Sequence, residues 1–374
     1  MVYLDYSANT PADEEVLQRF CDIERRCPGN ANSHHQAGAA AKAVIDEATQ
    51  SIARCLQVQP AEIIYTSGAS EANNFAIKSL ARLERHHGKH IISTPLEHSS
   101  VSGSLTALQE QGYEIDLLDV KQDGTVDLDH LRELLRPDTI LVAVTAVDSE
   151  LGVVQPVAEI ASILKEFPHC HLHVDATQAV GKCPVSFEGI DTMSLTAHKF
   201  YGLNGIGVLV KRRGLALEPL IHGGESTTIY RSGTPTVALA GSLALALDKA
   251  VTGLPARAAA IRKLNDRLRA ELSQYPNVRI NSPANAVPQI LNLSVKDVKG
   301  TVFQRELDAR GVCVSVKSAC SSDGLPSRAV FAVSRDRRNA LSSWRISLSH
   351  LTTEAELSEF LQAFDACYHT LTQS

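Results

Sequence analysis

The sequence predicts an α/β protein with a mainly parallel sheet and a smaller α/β unit following it. Between residues 60 and 211, seven short β-branched runs alternate with helical stretches: 63–66, 90–94, 114–120, 140–147, 171–175, 193–197 and 207–210. Several of these runs are apolar throughout instead of alternating, which suits strands covered on both faces by helices such as 71–85 and 157–166. In such a sheet the chemistry belongs at loops that follow strand carboxyl ends.

The chain's 374 residues allow two or three domains, and 44% hydrophobic with 21% charged residues exclude a wholly disordered or coiled-coil chain. Lys plus Arg number 36 against 42 Asp plus Glu, a formal charge of -6. That balance offers no basic footprint for nucleic acid, so small-molecule chemistry is expected. Met1-Val2-Tyr3-Leu4-Asp5-Tyr6 lacks the basic and apolar regions of an export signal. The longest clean apolar stretch, 140–147, falls far short of the roughly 20 residues that span a membrane. Eight cysteines, at 21, 27, 55, 170, 183, 313, 320 and 367, form no CxxC pair, which argues against a disulfide scaffold or a zinc ribbon. The expectation is a soluble protein of a reducing cytoplasm, with neither membrane nor nucleic acid as partner.

Beyond Thr234, an Ala- and Leu-rich helical stretch covers 237–251, pauses at Gly253-Leu254-Pro255, and resumes as a basic amphipathic helix over 257–275. The pause predicts a boundary between a large domain, 1–253, and a small C-terminal domain, 254–374, with the first dozen residues able to pack against the small one. Residues 277–374 read as a strand at 289–295, a helix at 302–310, a Ser-rich loop, a strand at 344–348 and a closing helix from Thr353. No internal repeat interrupts this order.

Asp175 ends the run 171–175, and His198-Lys199 follows the run 193–197. Two strand ends thus offer a carboxylate and an amine to one crevice. Pyridoxal phosphate requires that pair: a lysine for the Schiff base, and a carboxylate that keeps the ring nitrogen protonated. A surface lysine and a solvated aspartate fit the same spacing. Thr66-Ser67-Gly68-Ala69-Ser70-Glu71 joins a strand to a helix with small residues, so its backbone N–H groups suit a phosphate, or an ordinary N-cap. It lacks the lysine of a Walker loop. Cys320 lies in the small, polar run Ser315-Val316-Lys317-Ser318-Ala319-Cys320-Ser321-Ser322-Asp323-Gly324, where exposure favours a reactive thiol over a buried structural one. His169, His171, His173 and Asp175 alternate on one face of a strand, which also fits a metal site, although Asp175 has the better use and no metal is expected.

Further segments fall in a recognisable order. They are Tyr3-Leu4-Asp5-Tyr6-Ser7-Ala8-Asn9-Thr10-Pro11; Gly29-Asn30 with Ser33, His34 and Gly38; 66–74; Glu97-His98; Glu150-Leu151-Gly152; Asp175-Ala176-Thr177-Gln178; His198-Lys199; Arg231-Ser232-Gly233-Thr234; Ser318-Ala319-Cys320; and Arg345-Ile346-Ser347-Leu348. Together they resemble the class V aminotransferase-like cysteine desulfurases, in particular the group with a long catalytic loop, over nearly the whole chain. The resemblance implies a fold-type I transferase dependent on pyridoxal 5'-phosphate (PLP), with a seven-stranded sheet in the large domain.

By position, the resemblance implies that Lys199 forms the Schiff base, Asp175 pairs with the pyridine nitrogen and Gln178 lies near the phenolic oxygen. His98 would stack on the ring and act in proton transfer. Phosphate would be held by the Ala69 N–H, Ser70, Thr196 and His198 of one subunit and by Thr234 of the other, which implies a homodimer. Arg345 would clamp the substrate carboxylate. The implied reaction converts L-cysteine to L-alanine while the Cys320 thiolate takes the sulfur as a persulfide for an acceptor protein. An aminotransferase, a cysteine or selenocysteine lyase, and a non-catalytic sulfur-transfer scaffold are the alternatives.

Three places depart from the family pattern. Asp148-Ser149 replaces two asparagines, the second of which normally bonds cofactor and substrate, so that role passes to Ser149. The segment from Cys320 to Pro326 is one residue shorter, and Ser349-His350 replaces Gly-Arg.

Overall fold

The computed structural model describes residues 1–224, 226–317 and 325–373. Its strands are β1 (Val2–Tyr3), β2 (Ile63–Thr66), β3 (His90–Ser93), β4 (Glu114–Leu117), β5 (Thr139–Thr145) and β6 (His171–Asp175). They continue as β7 (Thr192–Thr196), β8 (Gly207–Lys211), β9 (Val278–Ile280), β10 (Ile290–Val295), β11 (Val312–Cys313) and β12 (Ser343–Ser347). The seven predicted runs are β2 to β8, and they form one sheet in the order β2-β8-β7-β6-β5-β3-β4. Every pairing among β3 to β7 is parallel, whereas β8 runs antiparallel to both β2 and β7.

Burial on both faces explains why these runs do not alternate. In β5 every residue is buried; Val142 and Val144 feed one core and Leu141 and Ala143 the opposite one. Phe75, Ile77 and Leu80 of the helix Ala69–Glu84 cover the second face. Ile160 and Leu164 of Val157–Leu164, with Leu243 and Leu247 of Val237–Thr252, cover the first.

A separate aromatic core holds the C-terminal part. The antiparallel sheet β12-β10-β9 packs Trp344 against Phe303, with ring centroids 5.1 Å apart, and against Phe364 of the closing helix Glu354–Thr372. β1 pairs in parallel with β11, so Val2 and Leu4 are buried in this second core. From there the chain crosses to the large sheet, where the Thr10 N–H donates to the His198 carbonyl at 3.0 Å.

The predicted pause at Gly253 is a bend. Gly253 closes Val237–Thr252 and opens Leu254–Leu272 at 65°, with Pro255 in the first turn, where its missing N–H is not needed. The second helix therefore starts at Leu254, earlier than its apolar periodicity suggests. No single described helix is long and apolar enough to cross a membrane.

Thr66 and Thr196 both pair with Gly207, which brings the turn after β2 onto the start of β8. A Cβ on Gly207 would stand 2.6 Å from the Leu195 oxygen and 2.8 Å from the Gly68 backbone. Gly207→Ala is accordingly expected to lower the unfolding free energy by roughly 1–3 kcal/mol in a denaturant titration. A wild-type midpoint for that variant would contradict this close approach.

Candidate active site

A cavity of about 360 Å³ opens at the carboxyl ends of β2, β5, β6 and β7. Parallel pairing sets Thr145, Asp175 and Ser194 side by side, and the turn Ala197–Lys199 follows β7 directly. Ala69, Ser70, His98, Ser149, Asp175, Gln178, Thr196, His198, Lys199 and Arg345 all line this cavity. The structure thus collects residues that the sequence scatters over most of its length.

The Lys199 Nζ donates to the Ser7 carbonyl at 2.8 Å and to the Ala8 carbonyl at 2.6 Å. The Gln178 amide donates to the same Ser7 oxygen at 2.9 Å. Asp175 is buried; its Oδ1 accepts from the Thr177 N–H at 2.9 Å and its Oδ2 from Asn73 Nδ2 at 2.8 Å. Thr196 donates to the Ile206 carbonyl at 3.0 Å, which leaves its oxygen, 3.2 Å from His198 Nδ1, to accept. Burial, with the Lys199 charge adding to it, pushes His198 down to about 4, so its imidazole is neutral at pH 7.

The helix Ala69–Glu84 starts at Gly68 without a side-chain cap, and its first N–H groups border the cavity. The hydroxyls of Ser7 and Thr177, which also line it, have no partner among the described residues. Glu71 lies at the rim. Burial works against its charge, but hydrogen bonds from Arg231 and Ser67 hold its carboxyl below the usual range.

Arg345 is 1% exposed on β12, with one terminal nitrogen donating to the Ser149 carbonyl at 2.7 Å and the other to Asp5 Oδ1 at 2.8 Å. Its Nε has no partner among the described residues. Ser315 forms an isolated antiparallel bridge with Arg345, and its hydroxyl donates to the other Asp5 oxygen at 2.7 Å. The run toward the predicted thiol therefore leaves from beside Arg345, while Cys320 itself lies outside the described residues. Thr234 is exposed and does not line this cavity.

Asp5, Ser7, Ala8, Asn73 and Ser100 belong to the site or brace it, yet had no role in the sequence reading. Three of them contribute backbone carbonyls or buried bracing bonds, which no residue type announces. The His169, His171, His173 and Asp175 alternation does not converge on one centre. His171 contacts Glu84 and Asp191, whereas His173 contacts Thr192 and Asn73, so the two imidazoles share no partner. Among the described residues, the one trio close enough to share an ion is Glu84, His87 and His169. It sits at the opposite end of β6 from Asp175.

Fold and site together define a class. Residues 2–360 match the family model of the class-V aminotransferases. The chain is 37% identical over 369 residues to cysteine desulfurase IscS of Dictyoglomus turgidum, covering 97% of this chain and 93% of that one. A solved NifS-like protein superposes with a TM-score of 0.93 at 33% identity, covering 100% of both chains. SspA in complex with cysteine superposes with a TM-score of 0.83 at 30% identity, covering 94% of this chain and 100% of that one. The chain belongs to the cysteine desulfurase family of the class-V aminotransferases.

Asp148 is wholly buried and neither faces solvent nor lines the cavity. Its Oδ2 accepts the N–H groups of Glu150, at 3.1 Å, and Leu151, closing its own turn, and its Oδ1 has no partner among the described residues. Burial, with the Glu150 charge adding to it, pushes the carboxyl up to about 7. An unfolded Asp ionises near 3.9, so between that pH and about 7 the folded chain keeps a proton that the unfolded chain has released. Stability from this group is full below the unfolded value and falls as pH rises through about 7. Asp148→Asn is expected to gain stability relative to wild type as pH rises from about 5 to about 8, by on the order of 2 kcal/mol, in urea unfolding. An equal difference at both pH values would rule out this titration.

Proposed function

We propose that this chain is a PLP-dependent cysteine desulfurase that converts L-cysteine to L-alanine and passes the sulfur from Cys320 to an acceptor protein. The observation that carries it is the convergence of Lys199, Asp175, His98 and Arg345 on one 360 Å³ cavity. The residues present fit PLP. An uncapped helix start with Ser70, Thr196 and His198 suits its phosphate, Asp175 suits the ring nitrogen, and the unpartnered hydroxyls of Ser7 and Thr177 border the same space. Lys199 would hold it covalently. When bound, PLP supplies an electron sink that loosens bonds at the substrate's α- and β-carbons.

The chain's own groups do the rest. Arg345 binds the substrate carboxylate and orients the amino acid, since its guanidinium is buried and fixed at two of its nitrogens. Ser149 contributes its carbonyl to that fixation. The Ser7 and Ala8 carbonyls keep the Lys199 amine at a set point, so it can bind and exchange without wandering. The Cys320 thiolate attacks the substrate sulfur: a sulfur–sulfur bond forms, the Cβ–S bond breaks, and its electron pair stays with the carbon skeleton, which takes up protons and leaves as alanine. The free thiols of all seven described cysteines support a reducing compartment such as the cytoplasm.

The same reading makes the protein a homodimer, with Thr234 serving the partner's phosphate site. The exposure of Thr234, together with that of Ile229 at 66% and Ile221 at 40% in the same segment, supports a covering subunit.

Two experiments follow. Cys320→Ala is expected to bind PLP and L-cysteine as wild type does but to lose sulfur transfer to protein thiol; sulfide release at the wild-type rate would place the chain among the lyases. Mixing inactive Lys199→Ala and Thr234→Ala subunits is expected to restore part of the activity, because one site of the mixed dimer carries neither change. Absence of recovery despite proven subunit exchange would refute a shared site.

A further inference from the structure

Between β6 and the helix Ala69–Glu84 runs a line of buried polar groups whose hydrogen bonds have a single direction. Asn73, fully buried, stands at its centre. Its Oδ1 accepts from Ser194 Oγ and lies 3.0 Å from His173 Nε2. Its Nδ2 donates to Asp175 Oδ2 at 2.8 Å and to Ser100 Oγ at 2.9 Å. Turning the amide over would set its oxygen against the Asp175 carboxylate, so the network assigns this orientation.

With Asn73 Oδ1 as acceptor, His173 carries its proton on Nε2, and its Nδ1 accepts from the Thr192 hydroxyl at 2.9 Å. Burial pushes His173 down to about 4, which agrees with a neutral ring. On the other side of Asn73, Ser100 Oγ already accepts from Nδ2, so its own proton turns to His98 Nδ1, 2.9 Å away. The backbone N–H of Ser100 donates to that same nitrogen at 3.1 Å. A backbone N–H has no other role, so His98 Nδ1 can only accept.

We propose that Asn73 is a positioning residue for two groups at once: it orients the Asp175 carboxylate and, through Ser100, holds His98 as the neutral imidazole with its proton on Nε2. His98 lines the cavity, and its Nδ1 is taken up by the start of the helix Ser99–Gln109. Toward the cavity it is then a hydrogen-bond donor. To act there as a base it would first have to move its proton to Nδ1, against two donors. This assignment rests on the reading of the cavity as a PLP site, but the proton position does not require PLP to be present.

The test uses the full chain labelled with ¹⁵N-histidine, with and without PLP, by magic-angle-spinning NMR, taking as His98 the signals lost in His98→Gln. The expected result is an unprotonated Nδ1 and a protonated Nε2 near neutral pH in both samples. A protonated Nδ1 would overturn the proposal. Asn73→Ala, checked for folding by circular dichroism, is expected to weaken PLP binding roughly tenfold by visible absorption. Wild-type affinity in that variant would also overturn it. Should Asn73→Ala fail to fold, the wild-type NMR spectrum still decides. A wild-type chain that never binds PLP would defeat the functional reading instead, and the NMR result would distinguish the two failures.

Discussion

The bonds from the Lys199 ammonium to the Ser7 and Ala8 carbonyls join the two halves of this molecule. Lys199 follows β7 of the large sheet, whereas Ser7 and Ala8 belong to an N-terminal segment whose first residues, Val2 and Leu4, are buried in the C-terminal core. The same segment carries Asp5, which bonds Arg345 on β12 and Ser315 on the run toward Cys320. The Lys199 amine, the Arg345 guanidinium and Ser315 thus take their relative positions from one short strap. A site assembled across two cores keeps its geometry only while both are folded, because neither core alone supplies both Lys199 and Arg345.

Electrostatics at the site follow from burial. His198 is held neutral, while the buried carboxyls of Glu97 and Asp148 are pushed up to about 8 and about 7, in both cases chiefly by loss of water. Among the described residues, Glu97 receives hydrogen bonds on one oxygen, from Thr94 and the Thr145 N–H, each at 2.8 Å. A neutral His198 in the wall, with the Glu71 carboxylate at the rim bonded to Arg231, leaves Lys199, Asp175 and Arg345 to act over short distances inside the cavity. Asp148, at a position where the family usually has asparagine, braces its own turn with a carboxyl that burial pushes up to about 7.

The sheet was legible because parallel strands buried on both faces write themselves as unbroken apolar runs, and all seven runs became strands. The pair Asp175 and Lys199 was legible because both stand at strand ends. What the sequence hid has physical reasons. The helix Glu14–Arg26 has an Asp13 cap, acids in its first turn and Arg25 and Arg26 in its last, a clear signal that lies outside the βαβ alternation and so went unread. The bracing role of Asn73 could not be read at all. An asparagine in a helix is unremarkable until the fold sets it between His173, Asp175 and Ser100. Ser149 was given the role of an asparagine side chain, yet the bond the structure shows for it is the one its carbonyl accepts from Arg345.

The most direct test of the account is a single turnover of the wild-type PLP-loaded chain with L-cysteine, followed by mass measurement of the peptide containing Cys320 and assay of the amino acid released. The account predicts one equivalent of alanine and a Cys320 peptide heavier by one sulfur atom. Alanine with free sulfide and an unmodified Cys320 peptide, or no alanine at all, would contradict it.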